Sequence, residues 1–236
     1  MGGMAVFSDA KVLADIAEWD IYTWGRVAIQ YWDNVIEEYF PSNKNLRVLD
    51  IGARNGGTSL YFGLKGMSCI CSDIEEPTEK AKALHCKYGV SSLIYYDIVD
   101  CTNIKFEDGT FDIVAFKSVM GAVGRNSNYN SICKAAAEIY RVLKPNGLLV
   151  FCENLQGSWL HKISRKTLVK WGNSWNYLTI DFINQIIRGF SEYQIKTYGF
   201  LNCFIKSNSL VNWLDNKLCR IIKPQNQYMC YGYARK

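Results

Sequence analysis

Groups that titrate near neutral pH are scarce in this chain, and the scarcity narrows its chemistry. Only two histidines, His85 and His161, occur in 236 residues, so few side chains can serve as a general base. No apolar run reaches the roughly 18–20 residues of a spanning helix. The first residues, MGGMAVFSDAKVLADIAEWD, lack a basic segment followed by an apolar one, so no secretory leader is expected. No pair among the nine cysteines has CxxC spacing. The odd count without a framework fits reduced thiols and a cytoplasmic location. Cys69 and Cys71 alternate along an expected strand, and two ligands do not make a zinc site, so core thiols and no metal are expected. There is no internal repeat, no low-complexity segment and no G-x-G-x-x-G.

Acid is missing from one stretch altogether. Between Asn154 and Ile180 there is none, whereas Lys162, Arg165, Lys166 and Lys170 are present. Residues 1–153 carry 15 Lys and Arg against 19 Asp and Glu (−4), and residues 154–236 carry 12 against 3 (+9). This asymmetry points to an anionic partner for the C-terminal part, or to a solvated basic face.

What is present is alternation. Residues 9–40 read as helical and stop at Pro41. LRVLDIG is a short buried strand, and GGTSLYFGLKG a helix with Gly66 at its end. MSCICSDI is a strand, followed by the helix EPTEKAKALHCKYG. SSLIYYDIVD and FDIVAFKSV are strands three and four, and NYNSICKAAAEIYRVLK a helix closed by PNG. LLVFCEN is the fifth strand. Such spacing predicts βαβ units, hence a parallel sheet with helices on both faces. TIDFINQIIRGF reads as a helix capped by Thr179, and EYQIKTYGF and NQYMCYGYARK as two more strands. The expected fold is therefore α/β: a seven-stranded, mostly parallel, Rossmann-like sheet with an N-terminal helical cap. The expected division is a cap over 1–43 and one domain over 44–236, with acceptor-side insertions at about 154–180 and 200–226.

Ligands of such sheets bind at the carboxyl ends of the strands. The turn after the first strand carries Gly52, Gly56 and Gly57, and Asp50 precedes them. A carboxylate there would repel a pyrophosphate and suits a ligand with an ammonium group, such as S-adenosylmethionine. Asp73 ends the second strand and can accept hydrogen bonds from ribose hydroxyls. Asp100 follows the third strand and can accept from an adenine amino group, with the Cys101 amide meeting a ring nitrogen.

These residues resemble the class I S-adenosylmethionine-dependent methyltransferases. DIGARNG falls on the family's D-x-G-x-G-x-G motif, SDI on its acid after strand two and DCTNIKF on its D-A-x-x-L-P-F stretch. FDIVAFKSV and IYRVLKPNGLLVF match strand four and the late helix, turn and strand five. The likeness implies S-adenosylmethionine as cofactor, held by Asp50, Gly52, Ala53, Gly56, Asp73, Ile74, Asp100, Cys101, Lys117 and Ser118. One departure stands out: Arg54 replaces the middle glycine, and its side chain is expected to point to solvent rather than to the methionine carboxylate. WDIYTWGRVAIQYWD, FKSVMGAVGR and ENLQGSWLHKISRK further resemble bacterial methyltransferases associated with surface polysaccharides. That likeness implies a sugar or glycan acceptor on an anionic carrier.

A sugar hydroxyl needs a base to remove its proton during attack. His161, just after strand five, is one candidate, or it joins Lys162, Arg165 and Lys166 in holding phosphate. Glu153 is the rival base. His85, inside a helix, is expected to be structural. A buried Lys117 needs an acid or a ligand as partner. Tyr22 or Trp24, among the aromatics Trp19, Tyr22, Trp24, Tyr31 and Trp32, can stack on a sulfonium or pack in the core. Trp171, Trp175 and Tyr177 can stack on a sugar face. Two further enzyme or binding classes remain open: a methyltransferase for a lipid or small metabolite, resting its stretch 158–175 on a membrane, and a nucleic-acid-binding or non-catalytic protein. KSVM stands where an N-P-P-Y-like run would follow strand four, so no stable nucleic-acid partner is expected.

Overall fold

The structure, a computed structural model, describes residues 8–18, 21–42, 45–168 and 174–236. Seven strands form one sheet in the order β3-β2-β1-β4-β5-β7-β6. They are β1 (Arg47–Ile51), β2 (Ser68–Asp73), β3 (Ile94–Ile98), β4 (Phe111–Lys117), β5 (Leu143–Asn154), β6 (Glu192–Tyr198) and β7 (Met229–Arg235). The first five pair in parallel, and β7 runs antiparallel between β5 and β6. The expected seven-stranded, mostly parallel sheet is therefore present.

Period-2 alternation sorts the strand residues into two cores. Val48, Cys69, Ile113 and Val150 face one layer. Leu49, Ile70, Val114 and Leu149 face the other. Cys69 and Cys71 lie buried on the same side, and all nine cysteines are free thiols.

The N-terminal helical stretch consists of α1 (Ala10–Ala17), a π-helical segment (Ile21–Ile29) and α2 (Gln30–Tyr39). Asp9 caps α1 by accepting from the Lys11 amide at 2.7 Å. Ile16, Trp24 and Trp32 share one core with the sheet residues, and the Trp32 indole N–H donates to the Phe151 carbonyl of β5 at 3.2 Å. These helices thus supply one face of the sheet's core. On the connections stand α3 (Gly57–Leu64), α4 (Glu79–Lys87), the short α5 (Met120–Val123) and α6 (Tyr129–Val142). Beyond β5 come α7 (Trp159–Leu168), α8 (Ile180–Ile186), capped by Thr179, and α9 (Ser209–Cys219).

Candidate active site

The carboxyl ends of β1 to β5 meet at one edge, and every expected cofactor residue after Trp24 lies in the strands or turns there. The turn between β1 and α3 winds through three left-handed residues: Gly52 at φ 68°, Arg54 at φ 51° and Gly56 at φ 81°. Glycine adopts this region freely, whereas arginine does so at about 1–2 kcal/mol. A Cβ on Gly52 would stand 2.5 Å from the Val119 side chain, and one on Gly56 would stand 2.7 Å from the His85 ring. The Val119 and His85 side chains therefore pack directly on the glycine backbone.

Several bonds fix the turn. The Ala53 amide donates to Ser72 O at 2.8 Å. Asp73 accepts from the Arg54 amide at 3.0 Å and from the Ile74 amide at 2.7 Å, so β2's terminal acid ties down the position where the motif has lost its glycine. The His85 ring bridges Gly56 O at 2.9 Å and the Tyr96 hydroxyl at 2.8 Å. Burial holds this imidazole below its ordinary value, as befits a structural clamp on the turn.

Beneath the turn, Asp50 is buried and accepts from Ser59 Oγ at 2.6 Å. Burial raises its carboxyl to about 7, against the Ser59 hydrogen bond and the Lys117 charge. Lys117, ending β4, donates to the Ala17 carbonyl at 3.1 Å. Desolvation lowers its ammonium, opposed by the charges of Glu18 and Asp50. The Arg54 side chain is 64% exposed, with one guanidinium nitrogen 4.0 Å from Glu18. The end of α1 thus reaches both Lys117 and Arg54. Sequence reasoning missed Ala17 and Glu18. Their signal is weak, because only the fold brings them to the glycine turn.

Asp100 accepts from the Thr102 amide and hydroxyl, both at 2.8 Å. Cys101 is buried beside it, its thiol pushed up to about 12 by burial. Ser118 sits at φ 58°, and its hydroxyl accepts from Asn154 Nδ2 at 2.9 Å.

Four expectations need correction. His161 is 0% exposed. Its Nδ1 accepts from the Ser158 amide at 3.1 Å, and its Nε2 lies 3.1 Å from the Phe200 carbonyl. Phe204 stacks on the ring at 4.6 Å. Burial lowers the imidazole to about 4. It is a neutral core residue, neither base nor phosphate ligand. Glu153 is 1% exposed. Its oxygens accept from the Met120 amide at 2.7 Å and the Asn154 amide at 2.9 Å, so it is engaged at the start of α5, which does not agree with a free base. Burial raises its carboxyl to about 7, countered by backbone amides. The Tyr22 hydroxyl accepts from Asn216 Nδ2, and its ring packs 6.2 Å from Tyr198. It leans on β6 and α9. Trp24 is buried in the core, which is the packing alternative.

Of the basic run, Lys162 and Lys166 are exposed. Arg165 is buried, donating to Leu155 O at 2.6 Å and lying 3.9 Å from the Tyr177 ring centroid. The Trp175 indole covers Gly121, where a Cβ would meet it at 1.9 Å. Trp19, Lys170 and Trp171 lie outside the described residues.

The tight turn and the acids after β1, β2 and β3 fit S-adenosylmethionine, since they combine close backbone approach with hydrogen-bond acceptors for ammonium, ribose and adenine groups. The comparisons agree. A methyltransferase domain model matches residues 49–151. The chain is 26% identical over 195 residues to the ubiquinone/menaquinone biosynthesis C-methyltransferase UbiE of Rickettsia bellii, spanning 80% of this chain and 72% of that protein. It is 26% identical over 223 residues to a demethylmenaquinone methyltransferase of Leptospira interrogans, spanning 82% and 86%. Among solved structures, phosphoethanolamine N-methyltransferase 2 of Haemonchus contortus, in complex with S-adenosyl-L-methionine, superposes with a TM-score of 0.61 at 16% identity. That likeness covers 88% of this chain and about half (52%) of the other, and it establishes the shared fold.

Proposed function

We propose, from the premise that this chain is an S-adenosylmethionine-dependent methyltransferase, that its acceptor is an electron-rich ring carbon of an apolar, quinol-like molecule. The observation that carries this reading is the enclosure of both expected bases. His161 and Glu153 are buried and engaged by hydrogen bonds. An unactivated sugar hydroxyl needs such a base. A phenol does not to the same degree, because it ionises near pH 10 and its ring carbon shares the resulting negative charge. When bound, the cofactor supplies a methyl group on a positively charged sulfur. In the transfer the ring carbon gains the methyl, the sulfur–carbon bond breaks and the ring proton leaves to solvent.

The chain's own part is alignment, which accounts for much of the rate of an in-line displacement. Asp50, Gly52, Ala53 and Gly56 form the turn for the amino-acid end of the cofactor. Asp73 and Ile74 mark the ribose position, and Asp100 and Cys101 the adenine position. Lys117 and Ser118 border the reacting centre. The names of the two relatives, quinone-biosynthesis methyltransferases, support a quinol-like acceptor. A second reading, a sugar or glycan precursor on an anionic carrier, is favoured by the +9 balance of residues 154–236.

The test is transfer of radiolabelled methyl from S-adenosylmethionine to a prenylated hydroquinone and to nucleotide-sugars, under reducing conditions. Label in the organic extract is the expected outcome. Label on a nucleotide-sugar alone would overturn the proposal in favour of the glycan reading.

A further inference from the structure

The helices beyond β5 and β6 bury some polar residues and leave several large apolar ones exposed. In α7, His161 and Arg165 are buried, while Trp159 is 67% exposed and Leu160 and Ile163 are exposed beside it. In α9, Val211 and Asp215 face inward. Its outer stripe holds Leu210, Trp213 (57% exposed) and Leu214, and continues to Ile221 (81%) just past the helix. The spacing of these positions places them on one helical face.

The two helices and the loop between β6 and α9 are joined. Phe204 of that loop stacks on His161 of α7 and is itself exposed, as is Ile205. Asp215 of α9 accepts from the Phe200 and Leu201 amides at 2.8 Å each. Exposed cations accompany the apolar residues: Lys162 and Lys166 on α7, Lys206 in the loop, Lys217 and Arg220 at the end of α9. Asp215 is the one acid in α7, the loop and α9, and it is buried. The exposed surface of these three elements therefore carries cations and apolar groups without a carboxylate.

We propose that this face docks on the surface of an anionic lipid bilayer. Exposed tryptophans and aliphatic side chains suit the headgroup boundary, and lysines beside them suit lipid phosphates. A second copy is a poorer occupant, because a two-fold contact would bring the same cations together. Among the described residues no helix is long and apolar enough to cross a membrane, so the contact is adsorption. Its placement has a use. β5, β7 and β6 align so that Asn154, Met229 and Tyr198 sit side by side, and α7 and the loop leave the sheet from that edge, the same edge as the glycine turn. The proposal concerns where the protein works and stands without the acceptor reading, because adsorption is measured on vesicles that contain no acceptor.

The experiment is co-sedimentation of the full chain with vesicles of phosphatidylcholine alone and of equimolar phosphatidylcholine and phosphatidylglycerol, at low and high salt. The expected result is binding to the mixed vesicles, weakened by salt, with a blue shift of tryptophan emission. Trp159→Ala with Trp213→Ala should weaken it by about tenfold or more, and Lys162→Glu with Lys217→Glu should weaken it on the anionic vesicles. Circular dichroism confirms that the variants are folded. No sedimentation at low salt, or binding undiminished in both double variants, would overturn the proposal. So would a dimer, seen by light scattering, that the tryptophan variant dissolves while the parent ignores vesicles.

Discussion

Asp73 does two things at once. It holds the Arg54 and Ile74 amides, and in the proposed site it accepts from the ribose. Charge-assisted hydrogen bonds of this kind contribute about 1.5–3 kcal/mol. Asp73→Ala is therefore expected to weaken S-adenosylmethionine binding by roughly one to two powers of ten in calorimetric titration, with Asp73→Asn in between. Unchanged affinity in both would remove the ribose from this position. His161 calls for a different experiment. Its folded value of about 4 lies below the ordinary value near 6.5. The unfolded chain thus binds the proton first as pH falls. The stability it contributes is present above about pH 6.5 and is lost as pH drops toward 4. Asp50 and Glu153, raised to about 7, act with the opposite sign: their contribution is present at low pH and is lost as pH rises through 7. Comparison with His161→Gln isolates the imidazole. The variant should be about 2–3 kcal/mol less stable in urea at pH 7.5, and the gap should narrow at about pH 5. A constant gap would mean that the imidazole is not held neutral.

At the scale of elements, α1 and α3 meet near the site in a tight backbone joint. A Cβ on Gly57 would stand 2.4 Å from Ile16 O, a backbone atom. Gly57→Ala must push α1 off the turn, at about 1–3 kcal/mol, with a fall in cofactor affinity because Ala17 and Glu18 move as well. Gly189→Ala, which meets nothing within 4 Å, is the matched control and should melt like the parent. The βαβ core was readable because its strands are short apolar runs and its helices end at stop glycines, as at Gly66 and Gly89. The π-helical stretch Ile21–Ile29 was not, because its apolar pattern looks the same as an α-helix. α7 and α9 were not legible, because they bury His161, Arg165 and Asp215 and expose Trp159, Ile163 and Trp213, the reverse of the apolar-inward pattern by which helices are recognised. The shape of the glycine turn was readable because glycine spacing encodes backbone conformation. The bases were misread because chain order placed His161 and Glu153 at the right edge but said nothing of side-chain direction. In His161 that direction is fixed by Phe200, 39 residues on.

For the molecule as a whole, the glycine turn, α1 and the ends of three strands come from residues 10 to 101, so occupation of the site should be felt throughout the fold. A ligand at 100 times its dissociation constant stabilises by about 2.7 kcal/mol, which in a chain of this size raises the melting temperature by about 5–10 °C. S-adenosylmethionine and S-adenosylhomocysteine should both do so in a thermal-shift measurement. No shift with either would separate this chain from a working cofactor site.

The last strand of the sheet lies inside it. Because β7 sits between β5 and β6, β6 leaves the ribosome before the neighbour that holds it exists. During synthesis β5 presents a bare edge while α7, α8, β6 and α9 emerge with nothing to close the sheet behind them. An unpaired edge of that kind invites pairing with other chains. Translation that stalls between about residue 155 and Met229 would therefore release an adhesive fragment rather than a smaller folded protein, and the described part of the molecule becomes safe only when Met229–Arg235 slides into its slot.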